Sequence, residues 1–411
     1  MCFVTTITRY SDRAGVELYR TVFTDPSELV VPCIQAALQG KYLVAVREEW
    51  RIYKAFYMEP DLVVIASKRI GVKPVHDGGS TKTVRRVTLY QHSPATDTVK
   101  EVGQEILLKR KNSLREGKVQ RAEASIKKEI EFFKSGKIPC TPPFIGEFTY
   151  QGRNGVQKVA YVSKRFDGDL FKFFITPLAV NKRICLEALI KVVEILAAWR
   201  EEKLIHLDLS AGNFVYRLKG KYDVLSDGTV YKPNPDSTLY KIAPDGKVYH
   251  IIDGKERPIK KDDIVEIDVC IIDVATTQEV NASTTITSWL QSASWTPAYL
   301  APEYARIILN KGNDTNQVLQ NSDIFSVGTI ICFILMPLYQ WRHPLLEALK
   351  ADRWEIPRII QVKREWQDLN PQDNNGSPLW QVVCGMLKNE PAERMLPAQA
   401  LPIMKEELKQ F

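Results

Sequence analysis

The chain is poor in the residues that build metal clusters and disulfide frameworks: its 411 residues include 7 cysteines and 5 histidines. Cys2, Cys33, Cys140, Cys185, Cys270, Cys332 and Cys384 are odd in number, contain no Cys-x-x-Cys pair and often sit in apolar runs. That argues against a paired-cysteine zinc site and a small secreted disulfide scaffold, and predicts reduced thiols in a cytosol-like compartment. Long hydrophobic runs are also missing. Ile324 to Pro337 is the longest, interrupted by Ser326, Gly328 and Thr329, and a bilayer span needs about 20 apolar residues. The N-terminal Met-Cys-Phe-Val-Thr-Thr-Ile-Thr-Arg has neither the charged start nor the apolar core of a signal peptide. Neither charge dominates: 56 Lys and Arg against 49 Asp and Glu leave +7. The most basic stretch, Lys109 to Lys134, interleaves its cations with Glu and apolar residues. It reads as a solvated helix face rather than a nucleic-acid surface. The expectation is a soluble, cytoplasmic protein with no membrane span and no nucleic-acid partner.

What is present is an ordinary globular composition, 45% hydrophobic and 26% charged, at a length beyond one typical domain. Residues 1–65 contain a capped helix start at Asp25-Pro-Ser-Glu28, where Pro32 should delay the helix, and strand-like runs at Tyr42–Val46 and Leu62–Ile65. They are expected to be an N-terminal extension. Strand-like runs follow at Val84–Tyr90 and Glu105–Lys109. Val119, Ala122, Ile126, Ile130 and Phe133 then mark one face of a helix. After Asp169 the pattern turns helical, with an amphipathic helix over Leu186–Arg200. Between Tyr216 and Glu266, Asp227-Gly228, Asp245-Gly246 and Asp253-Gly254 are flanked by β-branched and aromatic residues. That pattern predicts a β-meander, serving either a partner protein or surface decoration.

The chemistry-bearing segment is His206-Leu-Asp208-Leu-Ser-Ala-Gly-Asn213, followed later by Ile-Ile-Asp273-Val-Ala. It offers one carboxylate to orient a hydroxyl, and an amide and a second carboxylate to hold a divalent metal. A phosphoryl-transfer enzyme needs these parts, because its catalysis is mostly positioning and charge neutralisation. Asp268, on the same strand, is the alternative acid; two apolar residues before Asp273 and small residues after it favour Asp273. A turn in which Asp208 and Asn213 only cap backbone groups is the plain alternative.

Together with Trp295-Thr-Pro-Ala-Tyr-Leu-Ala-Pro-Glu303, these segments resemble the eukaryotic-type protein kinase superfamily in its Ser/Thr form. The resemblance runs from about Val63 to the C-terminus. It implies an α+β, two-lobed fold: a small β-rich N-lobe with one key helix over 66–166 and a larger helical C-lobe over 167–411. The meander, at 217–265, is an insertion. It further implies ATP and Mg²⁺ (or Mn²⁺) between the lobes and a protein substrate phosphorylated on serine or threonine. Asp208 is then the catalytic base or orienter, Asn213 and Asp273 the metal ligands, and Lys109 with Glu129 the phosphate clamp. Asp77-Gly78-Gly79-Ser80-Thr81-Lys82-Thr83-Val84 stands at the glycine-rich loop, though a plain β-turn explains it almost as well. Ser163 to Arg165 stands at the adenine-binding hinge, and Asp169 at the ribose or at a helix N-cap. Glu303 should pair with Arg394, and Asp323 should anchor the catalytic loop.

Three departures matter. Leu207 replaces the usual Arg, so activity should not depend on activation-segment phosphorylation. Ser210 replaces the usual Lys, removing charge near the transferred phosphoryl group. Val274-Ala275 replaces Phe-Gly. A nucleotide-binding scaffold and a small-molecule kinase are the alternative readings. Divergence of this sort also suits a bacterial effector secreted into a host cell. A partner protein could sit on the meander or the N-terminal extension.

Overall fold

The computed structural model describes residues 16–20, 25–38, 42–47, 51–58, 62–69, 82–96, 98–110, 116–151, 157–173, 176–233, 238–259, 266–280, 296–310, 320–351 and 356–411. It is a mixed α+β structure with several sheets. It divides into two compact units: Met1–Gly136 with Pro142–Arg165, and Lys137–Thr141 with Phe166–Phe411.

The first unit is organised by one eight-stranded sheet. Its strands are β1 (Val16–Arg20), β2 (Tyr42–Arg47), β3 (Arg51–Met58), β4 (Leu62–Arg69), β5 (Lys82–Ser93), β6 (Thr98–Arg110), β7 (Phe144–Gln151) and β8 (Gln157–Ser163). They lie in the order β1-β2-β3-β4-β5-β6-β8-β7, antiparallel except for β1 with β2. The ladder runs across position 65, where Ile65 of β4 faces Thr88 of β5. The described strands of residues 1–65 therefore belong to the same sheet as the strands that follow them.

Two helices cover this sheet. Asp25 accepts from Ser27 N at 2.8 Å and opens a 3₁₀ turn, Pro26–Leu29, that runs into α1 (Val30–Leu38). As expected, Pro32 goes with a late start: the α-helix begins at Val30, after the 3₁₀ turn that Asp25 caps. Pro32 lies in the first turn, where a missing N–H leaves no bond unmade. Leu29, Val30 and Cys33 pack on Tyr53, Ala55, Val63 and Ile65. α2 (Glu116–Ser135) sets Ile126 and Ile130 against Tyr161.

β3 is buried on both faces: Tyr53 and Ala55 meet the α1 cluster, Phe56 and Met58 a second cluster with Val64, Leu89, Phe148 and Val162. The sheet curls to close that second cluster. Phe56 of β3 stacks on Phe148 of β7 at 4.9 Å, and a Cβ on Gly146 would come within 2.7 Å of Met58 Sδ.

In the second unit, α3 (Leu170–Phe173) and α4 (Lys182–Glu201) lead to β10 (Leu204–Ile205). β9 (Gly168–Asp169), β11 (Phe214–Leu218) and β17 (Ile267–Ile271) make a three-stranded sheet, with β11 central. After α5 (Pro302–Asn310), α6 (Asn321–Tyr339) forms the core, joined by α7 (Pro344–Ala351), α8 (Ile356–Arg364), α9 (Pro378–Met386) and α10 (Pro397–Leu408). Among the described helices α6 alone is long and apolar enough to cross a membrane; it is mostly buried within its own unit.

Between β11 and β17 lies the meander, β12 (Asp223–Val224), β13 (Val230–Pro233), β14 (Leu239–Ile242), β15 (Val248–Ile252) and β16 (Lys255–Ile259), antiparallel in chain order. The Asp-Gly turns behave as their chemistry requires. Gly228, Gly246 and Gly254 have φ of 87°, 95° and 72°, and Asp253 joins Gly254 at positive φ, as a two-residue hairpin turn demands.

One asparagine fixes the meander to α4. Asn181 is fully buried and caps α4, its Oδ1 accepting from Ile184 N at 3.2 Å. Its Nδ2 donates to Gly228 O at 3.0 Å and to Ala243 O at 3.1 Å. The cross-strand neighbours Val230, Ile242 and Val248 are buried beside it. Asn181→Asp keeps the cap acceptor but turns a carboxylate toward two carbonyls. Urea unfolding should show a loss of about 3 kcal/mol; a loss under about 1 kcal/mol would mean that the pin is unimportant.

Candidate functional site

The loop carrying Asp208 begins where β10 pairs with β18 (Gln278–Glu279). His206 is fully buried: its ring lies 5.6 Å from that of Trp199, and its Nε2 is 3.3 Å from Ile272 O. Leu207 takes a left-handed backbone, φ 70°, which a branched side chain resists. Asp323 holds the loop there. Near the start of α6, its Oδ2 accepts from His206 N at 2.7 Å and its Oδ1 from Leu207 N at 3.1 Å. Burial pushes the Asp323 carboxyl up to about 7, against the lowering effect of those two N–H donors and of Arg200.

Asp208 follows. Its Oδ1 accepts from Thr296 N at 2.7 Å, and its main-chain carbonyl accepts from Asn213 Nδ2 at 2.6 Å. With its amide nitrogen so engaged, Asn213 has Oδ1 left as the ligating atom. Asn213 ends a short 3₁₀ turn opened by Ser210 and runs straight into β11. β11 pairs antiparallel with β17, and Ile272 N donates to Asn213 O at 2.8 Å. That bond brings Asp273, the next residue, beside Asn213. Asp273 is exposed and left-handed, φ 61°.

Burial is the main reason that the Asp208 carboxyl rises to about 7; the charges of Asp273 and Asp323 push the same way, while the Thr296 bonds oppose them. Asp268 has a different setting, paired with Arg217 and Lys219 at 2.9 Å each, which hold its carboxyl below the usual range despite partial burial.

A divalent metal can be tested against these donors. Among the described residues no group of three or more His, Cys, Asp or Glu could hold one. A closed protein cage is therefore not what the residues offer. Asn213 Oδ1 and the Asp273 carboxylate are hard oxygen donors on adjoining strand ends, with a second carboxylate, Asp208, close enough to repel Asp273. Magnesium is commonly held this way, by one or two carboxylates plus waters and substrate phosphates. The residues fit it on those terms.

Behind the loop, Arg394 makes a two-pronged bond to Glu303, Nη1 to Oε1 at 2.8 Å and Nη2 to Oε2 at 2.6 Å, as the sequence predicts. Ser322 Oγ adds 2.7 Å to Glu303 Oε1.

The expected phosphate clamp lies in the first unit. Glu129 is fully buried on α2 and accepts from Tyr161 Oη at 3.1 Å. The side chain of Lys109 lies outside the described residues, but its register is known. Position 109 of β6 is opposite Ala160 of β8, which belongs to the inner cluster, whereas Tyr161, on the α2 face, is opposite Leu108. The register thus gives positions 109 and 161 to opposite faces of the sheet.

Lys82 and Val84 are on β5, opposite Arg110 and Leu108, with their side chains outside the described residues; Gly78 and Gly79 lie outside them altogether. Ser163 is buried in the ladder, opposite Ile106, and Lys164 N already donates to Pro143 O at 3.0 Å. Arg165 closes the first unit. Asp169 is an N-cap: its Oδ1 accepts from Lys172 N at 2.7 Å.

Sequence reasoning passed over the contact of Thr296 with Asp208; its place beside Pro297 in the Ala-Pro-Glu segment was the available signal. The chain matches no protein-family model and no curated protein.

Asp208 holds its proton more tightly in the folded than in the unfolded chain, so its contribution to stability is lost as pH rises from about 4 through about 7. Asp208→Asn retains an acceptor for Thr296 N without the charge. The variant should melt above wild type at pH 8, and the gap should close toward pH 4. An equal or lower melting temperature at pH 8 would refute this account of the site.

Proposed function

We propose that this chain is an ATP-dependent Ser/Thr protein kinase of two lobes, the first unit serving as the β-rich N-lobe and the second as the C-lobe. The observation that carries the reading is the meeting of Asp208, Asn213 and Asp273 at one pair of strand ends, joined by the 2.8 Å bond from Ile272 N to Asn213 O. In this reading Asp208, aimed by Thr296, orients the substrate hydroxyl and takes its proton. Asn213 Oδ1 and Asp273 hold the magnesium, which when bound neutralises charge on the ATP phosphates. Lys109 and Glu129 have the roles of the phosphate-binding lysine and its helix partner that the kinase resemblance implies. The buried Glu303–Arg394 pair backs the segment on which a protein substrate docks, and this favours a protein over a small-molecule acceptor.

Two observations favour a second reading, a nucleotide-binding scaffold. Ser210 supplies no charge to the phosphoryl group, and the register assigns Lys109 and the Tyr161–Glu129 contact to opposite faces. One experiment separates the readings. The purified chain is incubated with radiolabelled ATP, Mg²⁺ and a casein-like protein, and its melting temperature is followed with a nonhydrolysable analogue.

A kinase transfers label and is stabilised by analogue plus Mg²⁺. Asp208→Asn should cut transfer by about 10²-fold or more while sparing the stabilisation. Asp273→Asn should remove both transfer and the Mg²⁺-dependent part of the stabilisation. Stabilisation without transfer selects the scaffold; neither response rejects both.

A further inference from the structure

Segment Lys137–Thr141 belongs to the second unit, although both of its neighbours in sequence belong to the first. Two bonds stitch it there: Trp199 Nε1 donates to Pro139 O at 3.0 Å, and Ile271 N donates to Cys140 O at 2.9 Å. The second bond has a chemical consequence. Its donor is the peptide group joining Cys270 to Ile271, and its acceptor is the carbonyl of Cys140, so each cysteine Cα borders one of the bonded groups. Backbones so joined bring Cα atoms into the range that disulfides bridge.

The thiols differ from the others described. Cys33, Cys185, Cys332 and Cys384 are buried, Cys140 is exposed and Cys270 half-buried on β17. Cys140 is also close enough that its negative charge opposes ionisation of Cys270.

We propose that Cys140 and Cys270 are a redox-sensitive pair that closes an intramolecular disulfide when the protein meets a peroxide. The Cys140 thiolate attacks one peroxide oxygen, the O–O bond breaks, and hydroxide, taking up a proton, leaves as water. The sulfenic acid so formed is attacked by the Cys270 sulfur; the S–O bond breaks, the S–S bond forms, and a second water leaves. Two thiols give up two electrons, and one peroxide becomes two waters. A thiol reductant reverses the bond. The disulfide would tie segment 137–141 covalently to the strand that runs into Asp273.

Burial raises both thiols above their ordinary range, Cys270 to about 12. The pair is therefore a slow responder at neutral pH, and it gains thiolate, hence rate, as pH rises.

The test uses the full chain, reduced, desalted and exposed to hydrogen peroxide at pH 7 and pH 9, then digested without reductant for mass spectrometry. The expected product is a Cys140 peptide joined to a Cys270 peptide, lighter than their sum by two hydrogens. It should come from monomeric protein, vanish on reduction and form at least about tenfold faster at pH 9. Cys140→Ser and Cys270→Ser should each abolish it. The proposal is overturned if Cys140 goes to sulfinic or sulfonic acid while Cys270 stays alkylatable, or if Cys140 instead bridges two chains. The wild-type digest decides this without the variants, and independently of any kinase activity.

Discussion

Asp323 carries a carboxylate into an otherwise uncharged, largely buried helix, and the loop holding Asp208 hangs from it. Two backbone N–H groups, of His206 and Leu207, would be orphaned in the interior without those oxygens. Leu207 could not be kept at φ 70° without some such restraint, since a left-handed leucine costs about 1–2 kcal/mol. Once that corner is turned, the carbonyl of Asp208 meets the Asn213 amide, and Asn213 enters β11 in register with β17. The placing of Asp208 and Asn213 follows from this one buried acceptor pair.

The same arrangement explains the site's electrostatics. Burial raises the Asp208 and Asp323 carboxyls against the donors that reach them, and at Asp208 the charges of Asp273 and Asp323 add to the rise. Burial of acids side by side disfavours their charged forms. Asp268 is paired with two cations, Arg217 and Lys219, which hold its carboxyl below the usual range.

The meander lies between the two strands that bring Asn213 and Asp273 together, yet it does not pull them apart. Its buried face, Val230, Ile242 and Val248, and the Asn181 pin anchor it on α4. The chain can make this excursion because β11 and β17 find each other through their own ladder.

Periodicity and turn chemistry made much of this legible: α2 and α4 from their apolar spacing, the hairpins from Asp-Gly, and Glu303 with Arg394 and Asp323 from motif. β3 escaped because clusters cover both of its faces, which erases the alternation that marks a half-exposed strand. Asp169 could be read as ligand or cap, and its bond to Lys172 N shows that it does cap α3. By itself the sequence determined which side chains carry chemistry and where the chain turns, because those depend on residue type and local spacing. Tertiary structure alone decided which acids lie together, which stand paired with cations, and that position 109 is on the far face from Tyr161. Those outcomes depend on strand register and on contacts between residues far apart in the chain, which local spacing does not encode.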